Sequence, residues 1–202
     1  VGTLRAPWPS VIAVGTELQC SSDFSDNNLC GPIPNGFFQQ CWSLRAVSFA
    51  NNNLSSKVPE SLSSCTSLET LNFSSNQLHG ELPSGIWYLK GLQSLDFSSN
   101  LLEGEIREGI QNLYDLKELR LGKNRFSGRL PADIGDCLLL KLIDFNLFRI
   151  LYIINLAIIL LIYLKTDVDI YLQSMPGEKK LGGYVLWQVP YDDDKWSLSS
   201  AA

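Results

Sequence analysis

Four asparagines, Asn52, Asn76, Asn100 and Asn124, stand 24 residues apart, and the same pattern of apolar and small residues returns around each. A fixed period of this length marks a chain built from stacked copies of one supersecondary unit. It constrains the fold more tightly than any other feature of the sequence. The copies read LRAVSFANNNLSSKVP, LETLNFSSNQLHGELP, LQSLDFSSNLLEGEIR and LKELRLGKNRFSGRLP, with the common form LxxLxFxxNxLxGxIP. A shorter copy, DFSDNNLCGPIP, comes before them, with Phe24, Asn27, Leu29, Gly31, Ile33 and Pro34 in the corresponding places. Asn27 lies 25 residues before Asn52, so FFQQCWSL carries one extra residue.

Each part of the phrase has a physical reading. The pairs Val47/Phe49, Leu71/Phe73, Leu95/Phe97 and Leu119/Leu121 have the period of two expected of a short strand with one buried face. The spacing predicts parallel strands at 46–48, 70–72, 94–96 and 118–120. The asparagine after each strand turns the chain, and its carboxamide can donate to a backbone carbonyl while accepting from an N–H. Asn27, Asn52, Asn76, Asn100 and Asn124 should therefore form a ladder. Leu54, Leu78, Leu102 and Phe126 return to the core, Gly80, Gly104 and Gly128 permit a bend, and Pro59, Pro83 and Pro131 stiffen the exit. A further apolar set at spacing three, such as Ile86/Leu89/Leu92, suits a 3₁₀ turn. One such unit cannot bury its apolar face alone, so the units must stack.

The phrase LxxLxxLxLxxNxLxGxIP, with its Gly-x-Ile-Pro exit, resembles the plant-specific leucine-rich repeat of receptor-like kinase ectodomains. Runs such as LETLNFSSNQLHGELPSGIWYLKGLQSLDFSSNLLEGEI look especially like the PXY/TDR-correlated receptor-like kinases. The resemblance covers Phe24 to Phe145. It implies an α/β, right-handed leucine-rich-repeat solenoid of four to five repeats, with parallel strands on the concave face and 3₁₀ turns and loops on the convex face. It also implies a peptide or protein ligand, a co-receptor and a place at the plant cell surface, with the repeats extracellular. Three positions depart from the pattern. Ser56 stands at the bending glycine, Arg107 at an exit proline, and Phe148 where the next ladder asparagine would fall.

The expected organisation is an irregular segment at 1–22, the solenoid at 23–146, an apolar segment at 147–165 and a disordered tail at 166–202. No secretory leader is legible in VGTLRAPWPSVIAVGTELQC. The run 150–164 opens on Ile150, closes on Leu164 and is interrupted in polarity only by Asn155. A membrane span needs roughly 20 apolar residues, so this run is a borderline candidate, and Arg149 could snorkel at one end. Two other readings stand beside it: a segment covering the open end of the solenoid, and translated non-coding sequence, whose codon bias the Ile, Leu, Tyr, Asn and Lys content matches. The tail has no repeat and an acidic run at 192–194, and its default reading is disorder.

The residues give little ground for catalysis. The lone histidine, His79, sits in a variable slot and reads as a solvated loop residue, and no Cys/His cluster has metal-ligand spacing. Glycine-rich phosphate loops and the VAIK, HRD and DFG phrases of a kinase are absent from these 202 residues. The expectation is a binding module without cofactor or metal. The net charge of −5 gives no case for nucleic acid. Cys41, Cys65 and Cys137 fall in one core column and read first as packed free thiols, although Cys41 and Cys65 stack about 5 Å apart, close enough for a bridge. Cys20 and Cys30 lie off that column, and a local bridge between them is a weaker alternative.

Function should lie on the concave surface. Four columns flank the buried pairs: Ala46, Thr70, Ser94, Glu118; Ser48, Asn72, Asp96, Arg120; Ala50, Ser74, Ser98, Gly122; and Asn51, Ser75, Ser99, Lys123. Small residues dominate until the fourth unit, so the candidate ligand-binding set is Asn72, Asp96, Glu118, Arg120 and Lys123. Asn53-Leu54-Ser55 and Asn72-Phe73-Ser74 are glycosylation sequons, and Asn53 should be occupied more readily because Asn72 projects from a concave strand. An inhibitor-type soluble defence protein with the same repeat, and an inactive truncated product, are the competing readings.

Overall fold

The computed structural model describes residues 20–128 and 131–144, and the backbone of 169–171. Numbered along the chain, one parallel sheet consists of β1 (Ser21–Asp23), β3 (Ala46–Ser48), β5 (Thr70–Asn72), β7 (Ser94–Asp96), β9 (Glu118–Arg120), β11 (Leu142–Asp144) and β12 (Asp169–Tyr171), in that order. A second consists of β2 (Cys30–Pro32), β4 (Asn53–Ser56), β6 (Gln77–Gly80), β8 (Leu101–Glu105) and β10 (Arg125–Ser127). The four predicted strands are β3, β5, β7 and β9, residue for residue. Their central residues Val47, Leu71, Leu95 and Leu119 pair in register and are buried.

The asparagine ladder forms as the spacing predicts. Asn76 Nδ2 donates to Phe49 O of the preceding unit at 2.9 Å and to its own Phe73 O at 3.2 Å. Its Oδ1 accepts from Leu54 N at 2.9 Å. Asn100 repeats this with Phe73 O, Phe97 O and Leu78 N, and Asn124 with Phe97 O, Leu121 O and Leu102 N. Asn52 bonds Phe24 O and Leu29 N, while Asn27, at the first unit, donates to Phe24 O and Ser25 O. The carboxamides of Asn52, Asn76, Asn100 and Asn124 thereby tie each unit to the one before it through backbone groups that need partners inside the fold. Behind the ladder the rings of Phe24, Phe49, Phe73 and Phe97 stack at centroid separations of 4.8, 5.0 and 5.3 Å, and Leu121 ends the series.

The convex side is made of 3₁₀ turns, at Glu60–Ser64, Ser84–Tyr88, Ile110–Asn112 and Ala132–Asp136. The three five-residue turns each follow a proline, Pro59, Pro83 or Pro131, whose φ lies between −70° and −57°. The unit with Arg107 in that place has only a three-residue turn, entered from Gly109 at φ 114°. Without the ring to preset φ the chain enters the turn later, and Asp133 Oδ2 of the next unit accepts from Gly109 N at 2.6 Å.

Several expectations need correction. Cys41 and Cys65 are joined in a disulfide with Cα atoms 5.0 Å apart, so they are not free packed thiols. The core column places them on consecutive turns at a bridging distance. Cys20 and Cys30 are free, and no bridge joins them. The segment read as irregular to residue 22 already contains strand at Ser21 and Ser22, missed because the central position there is Ser22, which pairs with Val47 but carries no apolar signal. The tail read as disordered from 166 supplies β12, which pairs with β11 in register, Ile170 beside Ile143. That spacing is 27 residues and not 24, so the period conceals it. The second sheet was also not foreseen. The candidate span 150–164 and the rest of the tail lie outside the described residues; among the described residues no helix is long and apolar enough to cross a membrane.

Candidate ligand-binding face

From β3 to β11 the first sheet offers a continuous wall whose central strand residues are buried and whose flanking side chains are half-exposed, or fully exposed at Thr70. Strand register sets which of them are neighbours. Asn72 lies beside Asp96, Asp96 beside Arg120, and Arg120 beside Asp144. Adjacent strands lie about 4.8 Å apart, so these groups form one row of alternating chemistry. Asp144, outside the five residues expected from the sequence, continues the column of Asn72, Asp96 and Arg120 at the same 24-residue step.

Within the row the side chains are held by local bonds. Asn72 Oδ1 accepts from Ser74 N at 2.9 Å, and Asp96 Oδ1 accepts from Ser98 N at 2.8 Å and Ser98 Oγ at 2.6 Å. Asp23 accepts from Ser25 N at 2.9 Å in the same way, and the Ser25 hydroxyl and N–H together hold its carboxyl below the ordinary carboxylate value. These i to i+2 bonds fix each polar group at the end of its strand. Beyond them the chain turns through a left-handed residue, with Asp26, Asn51, Ser75, Ser99 and Lys123 all at φ 55° to 56°.

The fourth unit brings opposite charges together. Arg120 Nη1 meets Glu118 Oε2 at 2.6 Å, both side chains remaining a third or more exposed, and Ser94 Oγ donates to the same oxygen at 3.2 Å. Among the described residues the Nε and Nη2 donors of Arg120 have no partner. The Asp144 carboxylate lies over Gly122, where an added Cβ would fall 2.6 Å from Oδ1. The glycine keeps that surface low. Lys123 is exposed at the turn, and its ammonium group makes no bond among the described residues. The candidate residues therefore share one face, but Arg120 is not an isolated cation. It stands amid Asp96, Glu118 and Asp144, and only part of its guanidinium is uncommitted.

The other chemistry-bearing residues do not gather. His79 is exposed on β6 of the second sheet, and no group of His, Cys, Asp or Glu among the described residues could hold a metal ion. Asn53 is exposed at the start of β4, also on the second sheet and away from the wall.

Comparison with known proteins agrees with this geometry. The Leucine Rich Repeat family matches residues 43–65, 67–89, 91–113 and 115–137. Over 47 residues, 23% of this chain and 4% of the relative, the sequence is 57% identical to the leucine-rich repeat receptor-like protein kinase PXC2 of Arabidopsis thaliana. The fold is similar to that of the Arabidopsis receptor kinase HAESA, solved in complex with the peptide hormone IDA and the co-receptor SERK1. The TM-score is 0.65 at 32% identity, covering 70% of this chain and 24% of that one. A TDR receptor gives a TM-score of 0.61 at 38% identity, covering 63% of this chain and 22% of that one. The chain thus spans less than a quarter of the length of these receptors. Residues 43–137 carry four matches to the leucine-rich repeat, and the fold is similar to that of plant receptor-kinase ectodomains.

Proposed function

We propose that this chain forms part of the ligand-recognition surface of a plant cell-surface receptor kinase, and that its concave wall binds an extended peptide or a protein segment, with a co-receptor as a second partner. The observation that carries this is the wall itself: small polar side chains on β3, β5 and β7, followed by the Arg120 group on β9. Small residues let a ligand backbone approach the sheet closely. The uncommitted edge of Arg120 supplies donors for a carboxylate, and Lys123 adds a point charge. The Cys41–Cys65 bridge suits an extracellular position, because disulfides persist in oxidising compartments. The similarity to receptors solved with a peptide hormone, such as the HAESA complex, supports the same reading.

Titration calorimetry with a panel of synthetic extended peptides, anionic, neutral and cationic, tests it. Arg120→Ala should weaken the binding of a peptide with a free carboxylate by about 1 to 3 kcal/mol, the scale of a lost charged hydrogen bond. Ser48→Ala, three units away, should leave affinity unchanged. Equal affinities for Arg120→Ala and the parent would remove the fourth unit from the site.

A further inference from the structure

The two sequons occupy opposite kinds of surface. Asn53 is exposed, opens β4, and lies next to the end of the second sheet. Its Oδ1 accepts from Gln77 Nε2, and its Nδ2 donates to nothing among the described residues. Its register partner Cys30 lies on β2, the last strand of that sheet, and the Asn53 side chain is itself exposed. A bulky group on Asn53 would therefore project into open solvent. Asn72 is half-buried in the middle of the concave wall, with Ser48 on one side and Asp96 on the other in strand register. A sugar ring linked there would have to stand on both neighbouring strands, about 4.8 Å away on each side, and would fill the groove.

We propose that Asn53 is an N-glycosylation site and that Asn72 is left bare, so that glycan covers the second-sheet flank of the first two full units while the concave wall stays open. The covalent step joins Asn53 Nδ2 to C1 of the first sugar of a lipid-linked oligosaccharide. The bond from C1 to the lipid diphosphate breaks, the lipid diphosphate leaves with its electron pair, and the amide gives up one proton. The Ser55 hydroxyl completes the acceptor sequence. The glycan marks this flank as a face that does not dock a protein partner. The proposal rests on the extracellular reading given above, and its test separates the two.

The full chain is expressed through a plant secretory pathway, and its peptides are mapped by mass spectrometry after enzymatic glycan release in heavy-oxygen water, which labels each formerly occupied asparagine. The expected result is label at Asn53 and none at Asn72. Asn53→Gln and Ser55→Ala should each abolish the glycan mass shift, and Asn72→Gln and Ser74→Ala should leave it unchanged. Because occupancy is read on the parent chain, failure of a variant to be secreted does not obscure the answer. Label at Asn72, or a mass shift that survives Asn53→Gln, overturns the proposal. A secreted chain bare at both sites with Cys41–Cys65 oxidised overturns the proposal alone. A chain bare at both sites with those thiols reduced overturns the extracellular reading as well.

Discussion

Replacing Asn100 with alanine should be among the most costly single changes to this solenoid. The side chain is 5% exposed. It donates to Phe73 O at 2.9 Å, Phe97 O at 3.1 Å and Ser98 O at 3.3 Å, and accepts from Leu78 N at 3.0 Å. The losses are unequal. Phe73 O keeps the donor of Asn76, and Phe97 O keeps that of Asn124. Leu78 N loses its carboxamide acceptor inside the core. An unpaired buried donor costs about 1 to 3 kcal/mol and each weakened bond about 0.5 to 1.5 kcal/mol, so a loss of roughly 3 kcal/mol is expected. Asn52 makes the same kind of bonds in a half-exposed position where water can replace them, and Asn52→Ala should cost only about 1 kcal/mol. Urea unfolding followed by circular dichroism measures both. With a slope of about 2 kcal/mol per molar urea, the midpoints should fall by about 1.5 M and 0.5 M. Midpoints equal to within 0.2 M would refute the argument that burial of the ladder sets its energetic weight.

Ser56 holds φ 79° with a side chain, a conformation that disfavours L residues by about 1 kcal/mol, so Ser56→Gly should raise stability by a similar amount in the same urea assay. Gly104→Ala should do the reverse and by more, because φ is 88° and the new Cβ would fall 2.6 Å from Glu81 Cγ; Glu81→Ala in the same chain should recover part of the loss. Reducing the Cys41–Cys65 bridge, which closes a separation of 24 residues, should lower stability by about 3 kcal/mol on the chain-entropy scale. Burial, followed by the nearby Asp133 and Asp136 carboxylates, pushes the Cys137 thiol up from 9.0 to about 12. The folded state therefore favours the neutral thiol, and this contribution is complete below pH 9 and disappears as pH rises from 9 to 12. Cys137→Ala should flatten that part of the stability profile, as followed by thermal unfolding across alkaline pH.

Period and polarity made the concave strands, the ladder and the 3₁₀ turns legible, since each depends on residues that recur in every unit. Strand β1 was hidden because Ser22 occupies the place of a buried leucine, and β12 because its distance from β11 breaks the count. The second sheet leaves a weaker trace: β4, β6, β8 and β10 bury one leucine or phenylalanine each, at Leu54, Leu78, Leu102 and Phe126, β2 buries none, and a single apolar residue has no alternation to detect. The fourth-unit charges were found as columns, but not their pairing. Whether Arg120 turns toward Glu118 or toward solvent depends on rotamers that the sequence does not encode, and Asp144 escaped because the columns were counted only through the fourth unit. The disulfide lay between these cases: the column brought Cys41 and Cys65 to bridging distance, while burial alone favours a thiol equally.

Site-specific photo-crosslinking tests the central claim, that ligands bind the concave wall of the repeat array, most directly. A photoreactive phenylalanine derivative is placed at Ser94 on the concave sheet or at Glu103 on the second sheet, both at solvent-facing strand positions. Each full-length chain is irradiated with a secreted plant peptide fraction and the adducts are identified by mass spectrometry. Peptide adducts at position 94, suppressed by Arg120→Ala and absent from position 103, are the predicted result. Adducts at 103 with none at 94 would contradict the assignment.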